Sequence, residues 1–136
     1  MDNKPTPSEI VIMASGAFAL IFSFFDYIGD VNAWSRGLFP LATYVAIIGV
    51  LMATQVALAR FADVKMPERV LTFTWTQLHL AFGFFATLIS IGFLLVDFGG
   101  ASRAIGFWVM LLASIGLLVG AVLRMNEVGG TAPPAT

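Results

Sequence analysis

The chain has 136 residues, 59% of them hydrophobic and 11% charged, with a net charge of −1 and no cysteine. A soluble domain carries about 25% charged residues and, at this size, leaves too much surface exposed to hide so much apolar area, so a water-soluble globule is excluded. The absent basic excess leaves nucleic acid nothing to grip, and the missing cysteines rule out disulfides, thiolate catalysis and Cys-ligated metals.

Four long apolar runs are walled off by charges: 10–25, 38–58, 70–96 and 104–123. A bilayer core of about 30 Å takes roughly 17–25 helical residues, so each run reads as a span. The first reaches that length by borrowing Tyr27 and Ile28 beyond Asp26. The expected fold is all-α, a polytopic four-transmembrane-helix bundle. Its organisation reads as a polar N-terminal tail over 1–6, a transmembrane domain over 7–124 (spans about 8–28, 38–58, 70–96 and 104–123) and a disordered tail over 125–136.

The first helix has a start signal. Thr6 can cap, Pro7 suits the first helical position, and Glu9 stands three after Thr6, as in a capping box. Asp2 and Glu9 offset Lys4, and Asp26 follows the apolar stretch without a small-residue cleavage site, so the run is expected to be a retained span rather than a signal peptide. Gly29 is a plausible stop, and Pro40 fits the first turn of the second helix. The second loop, about 59–69, is the most basic: Arg60, Lys65 and Arg69 against Asp63 and Glu68, with Pro67 expected to open the third helix. It could meet anionic headgroups, or serve only to orient the chain. The third loop, 97–103, contains Gly99 and Gly100.

Lys4, Arg60, Lys65, Arg69 and Arg124 fall at one end of such a bundle, and Arg36 and Arg103 at the other. The positive-inside rule then puts both termini in the cytoplasm of a bacterial plasma membrane. Trp75 would lie near the inner interface, Trp34 and Trp108 near the outer one.

Small residues recur at steps of three and four: Ser15, Ala19 and Ser23; Ala42, Ala46, Gly49 and Ala53; Thr72, Thr76, Gly83, Ala86 and Ser90; Gly106, Ala113, Gly116 and Gly120. Lipid offers helices no hydrophobic drive to associate, so close backbone approach over small residues supplies the packing. Gly49, Gly83, Gly116 and Gly120 are the expected packing positions. The Gly116/Gly120 pair serves either the bundle or a dimer. The abundant phenylalanines (13) read as lipid-facing or packing groups, with a lipid-tail groove as the alternative.

His79 is the only histidine and the only ionisable residue well inside a span, on the stripe of Thr76, Gly83 and Ser90. An ionisable group at that depth is a functional candidate. It reads either as a histidine hydrogen-bonded within the bundle or as part of a proton relay, for which the sequence supplies no acid at similar depth. Gln55 and Gln77, toward the cytoplasmic ends of their helices and off the small-residue stripes, would bond a neighbouring helix or reach headgroups. His79, Thr76, Gln77 and Gln55 form the candidate intramembrane polar site. Asp26 and Asp97 with Arg36 and Arg103, near Asp30, form a candidate outer ion-pair cluster, or else a cation vestibule or docking patch. No catalytic, metal or cofactor motif stands out. The leading expectation is a non-enzymatic accessory or scaffold subunit of a larger membrane complex. The alternative is a homo-oligomeric channel or transporter using His79 and the outer aspartates. Partners would be lipid, other membrane subunits or a second copy.

The polar start PTPSE, the Ala/Val/Gly-rich spans and the TAPPAT tail give the chain a layout that resembles the many uncharacterised small four-span membrane proteins of high-GC Gram-positive bacteria. The resemblance is compositional, and it implies a multi-pass membrane protein without assigning a residue a role. Small multidrug exporters also have four short helices but need a carboxylate buried in the first, where Glu9 is expected at the membrane edge. Small fluoride channels need asparagine-containing helix breaks, and Asn3, Asn32 and Asn126 all lie outside the spans.

Overall fold

The computed structural model describes residues 4–62 and 64–131, with backbone alone for 128–131. The molecule is an all-α four-helix bundle: α1 (Pro7–Phe22), α2 (Leu41–Phe61), α3 (Trp75–Leu95) and α4 (Ile105–Thr131). Two antiparallel hairpins join the helices, β1 (Asp26–Ile28) with β2 (Val31–Asn32), and β3 (Arg69–Val70) with β4 (Phe73–Thr74). Three helices are long and apolar enough to cross a membrane, and α1 is a shorter apolar one. Large apolar side chains such as Phe24, Phe84, Leu88, Leu95 and Leu112 point outward along the bundle, a surface suited to lipid.

Helix limits differ from the sequence expectation where local chemistry overrides composition. Tyr27 and Ile28 do not extend α1. The chain turns after Ser23 and folds them inward as β1, where Tyr27 meets Phe93 and Phe107 edge-on at 5.5 and 5.3 Å. Tyr27 O accepts from Ala104 N–H and Gly29 N–H donates to Ser102 O, so the first and third loops are stitched together. Non-helical backbone at membrane depth is tolerated when protein covers it in this way. Pro67 does not open α3. Thr74 does, through a capping box with Gln77, after residues 70–73 are spent in the hairpin. At the far end α4 runs helical to Thr131, so the tail expected from 125 is helical over its first residues. Residues 1–3, 63 and 132–136, which include parts of both expected tails, lie outside the described residues.

α1 packs along α2 and α4, α3 packs along α4, and of these four seams between neighbouring helices the α2–α3 seam is the loosest. The glycines explain the tight crossings. A Cβ on Gly16 would strike Gly49 O and sit 2.7 Å from Ala53 Cβ, and one on Gly83 would lie 2.9 Å from Leu118 Cα. A Cβ on Gly116 would meet the Ser15 hydroxyl, and one on Gly120 would meet Ile12 at 2.6 Å. The Gly116/Gly120 pair is thus consumed inside the bundle by α1. Ile12, Met52, Phe107, Met110 and Leu117 fill the centre. Hydroxyls add cross-links: Thr87 Oγ1 donates to Gly83 O (2.8 Å) and Ser114 O (3.0 Å), and Ser114 Oγ meets Ser90 Oγ at 3.1 Å.

Candidate functional site

The loose seam opens as an apolar cleft of about 440 Å³ between α2 and α3, toward the end of α2 and the start of α3. The Thr74–Gln77 cap fixes the start of α3 and sets His79 one turn inside it. Gln55 faces the same cleft from the last third of α2. Leu51, Leu58, Trp75 and Phe82 wall it, and Leu71 of the second hairpin stands at its edge. His79 is 2% exposed and Gln55 7%. Neither ring nitrogen of His79, nor Gln55 Oε1, has a hydrogen-bond partner.

The four residues of the expected intramembrane site therefore divide. His79 and Gln55 share the cleft. Gln55, expected to bond a neighbouring helix or reach headgroups, is buried against the cleft with its Oε1 unbonded. Gln77 is exposed and spent on the cap, and Thr76 is half-buried. The expected bond from His79 to a threonine or carbonyl is absent. No acid lines the cleft among the described residues, so His79 has no relay partner there.

The expected outer ion-pair cluster does not form among the described residues. Arg103 instead donates to the free carbonyls at the end of α3: Nε to Phe93 O (3.0 Å), and Nη2 to Leu94 O and Val96 O (both 2.6 Å). Its guanidinium also lies 5.7 Å from the Phe98 ring centroid and 5.8 Å from that of Phe107. The physical reason is the unsatisfied last carbonyls of a helix, which a cation relieves. Asp97 accepts from Gly99 N–H at 3.1 Å, and Asp26 and Arg36 are exposed.

A second polar cluster escaped sequence reasoning. Glu9, expected at the membrane edge, stands in the first turn of α1 but is buried there. It is 6% exposed and accepts from Arg60 Nε at 2.7 Å, with Arg124 Nη1 at 3.8 Å. Its side chain thus leaves the capping box half made, with Thr6 Oγ1 accepting from Glu9 N–H at 3.5 Å. Beside it Glu127 takes the free donors of Ser8, N–H at 3.2 Å and Oγ–H at 2.6 Å. The available signal was the fall of Glu9, Arg60 and Arg124 at helix ends that an even-numbered antiparallel bundle brings together. The arginines neutralise the one buried carboxylate of α1, and so remove it as the free acid that a small exporter needs.

Among the described residues, no group of three or more His, Asp or Glu is placed to hold a metal ion. No protein-family model, curated protein or solved structure matches this chain.

Proposed function

We propose that the chain is a small, non-catalytic protein of the bacterial plasma membrane that crosses the bilayer four times with both termini in the cytoplasm, and that it serves as an accessory or scaffold subunit of a larger membrane assembly. The observation that carries this reading is the uneven cover of the helices. α3 buries a third of its apolar window inside the bundle, where α2 and α4 bury half. Its outer face presents Phe84, Leu88 and Leu95. The small-residue stripes are already used inside, so a partner would meet this large apolar face instead.

Orientation rests on the end that gathers Lys4, Arg60, Lys65, Arg69 and Arg124, which the positive-inside rule assigns to the cytoplasm. The membrane-to-function step is tested by a photo-crosslinking amino acid at Leu88 on α3 and, separately, at Leu112 on α4, in cells expressing the full chain. The reading expects one stoichiometric membrane-protein partner from Leu88 and lipid alone from Leu112. Lipid alone from both positions would defeat it.

A further inference from the structure

Among the described residues, five buried side-chain atoms lack a hydrogen-bond partner, and three of them, both ring nitrogens of His79 and Oε1 of Gln55, line one cleft, which Tyr27 and Ser35 do not. Gln55 lies about 9 Å before the end of α2 and His79 about 6 Å past the start of α3, and both line the cleft between these two helix ends. Buried polar groups are rarely left unpaired, because each then loses its water without replacement. Here two on facing helices line a cleft whose other walls are apolar. A third feature stands at the mouth. Leu71, 90% exposed, joins β3 to β4 at φ +62°, a left-handed conformation that a branched residue adopts at a cost. Glycine or asparagine would hold that turn without strain, so the strain keeps an apolar side chain at the rim.

We propose that the α2–α3 cleft binds a neutral, hydroxyl-bearing amphiphile that enters sideways from the bilayer, its hydroxyl between Gln55 and His79 and its apolar body along Trp75, Phe82 and Leu71. The donor and acceptor inventory selects the head group. Gln55 Oε1 only accepts, and a neutral imidazole has one donor and one acceptor nitrogen. A hydroxyl both donates and accepts, so it can donate to Gln55 while accepting from the imidazole N–H. A carboxylate only accepts and would leave Gln55 Oε1 unpaired. It would also bring an unpaired charge into an apolar cleft. A hydrocarbon satisfies neither residue. The volume, about 440 Å³, lies in the range of small-molecule sites. This inference rests on the bilayer placement proposed above and not on the accessory role.

The test uses the full chain in phosphatidylcholine vesicles, with 1-hexadecanol carrying a mid-chain diazirine as the probe. Labelling is expected to saturate, to map to residues 51–58 and 75–82, and to be displaced by hexadecanol but not by hexadecane or by hexadecane-1-sulfonate, which only accepts and stays charged. Q55L and H79L should each weaken binding on the order of tenfold. Without probe, both variants should melt at or above the parent temperature, since each replaces an unpaired buried polar group with an apolar one of similar size. Uniform labelling of all four helices, equal displacement by hexadecane or hexadecane-1-sulfonate, or full affinity in both variants would overturn the proposal. So would a lower melting temperature in both probe-free variants, because both side chains would then already be bonded in the fold. Flotation of the vesicles is scored first. Protein lost from the floating fraction overturns the bilayer placement together with this proposal, whereas protein retained with uniform labelling overturns this proposal alone.

Discussion

Glu9 stands between two guanidinium groups at the point where α1, α2 and α4 converge, and it is the residue whose loss should be felt most. Removing one partner of a buried pair typically costs about 3–5 kcal/mol, because the other charge stays behind. Arg60 keeps 30% of its side chain exposed, so the cost here should fall below that range. We expect Glu9→Ala to lower the melting temperature in detergent by several degrees. Glu9→Ala and Arg60→Ala together should cost less than the sum of the two singles, by about 0.5–3 kcal/mol of coupling. Additive losses would mean that the pair contributes nothing. Arg103 gives a contrasting case. Its partners are carbonyls, so Arg103→Ala should destabilise the end of α3, while Asp26→Asn and Asp97→Asn should leave Arg103's role intact. A thermal melt of the three variants separates carbonyl capping from the ion-pair arrangement that the charges alone suggested.

At the scale of the element, glycine positions divide by what surrounds them. Gly83 lies against the α4 backbone, whereas a Cβ at Gly92 meets nothing within 4 Å. Gly83→Leu should therefore disrupt the α3–α4 crossing, at a cost of about 1–3 kcal/mol or more from overpacking. Gly92→Ala should stabilise α3 by up to about 1 kcal/mol through helix propensity alone. Melting the two variants in the same detergent checks both signs. Leu71→Gly relieves a left-handed leucine and should raise the melting temperature, by about 1 kcal/mol equivalent. A fall would mean that the hairpin tip packs against the bundle.

Element boundaries were the least legible part of the sequence, for a physical reason. Tyr27, Ile28 and Val70 are as apolar as the helices beside them, and composition cannot tell a buried hairpin strand from another helical turn. The decisive groups were local and polar. Thr74 and Gln77 open α3, although the apolar run around them begins at Val70. The glycine contacts were better signposted, because the helical spacing of Gly49, Gly83, Gly116 and Gly120 carries their shared face in the sequence itself. Gln55 and the Glu9–Arg60–Arg124 group depend on which helix lies beside which, and single-helix periodicity does not contain that information.

For the whole molecule, the arrangement brings the start of α1, the end of α2 and the C-terminal part of α4 to one end, with the first and third loops at the other. An even number of crossings follows if α1 crosses, and α1 is the element in question. Its 16 residues span about 24 Å, less than the roughly 30 Å hydrocarbon core. Tyr27 and Ile28, buried in β1 beyond its end and bonded to the third loop, would supply the missing depth. The most direct measurement is sided labelling of single cysteines, which the naturally cysteine-free chain permits, placed at the exposed positions Lys4, Asp30, Val64 and Ser102. In intact cells an impermeant thiol reagent should modify the Asp30 and Ser102 positions, and reach Lys4 and Val64 only after permeabilisation. Modification of the Lys4 position from outside, with Val64 still protected, would mean three crossings and would contradict a bundle that passes through the bilayer four times.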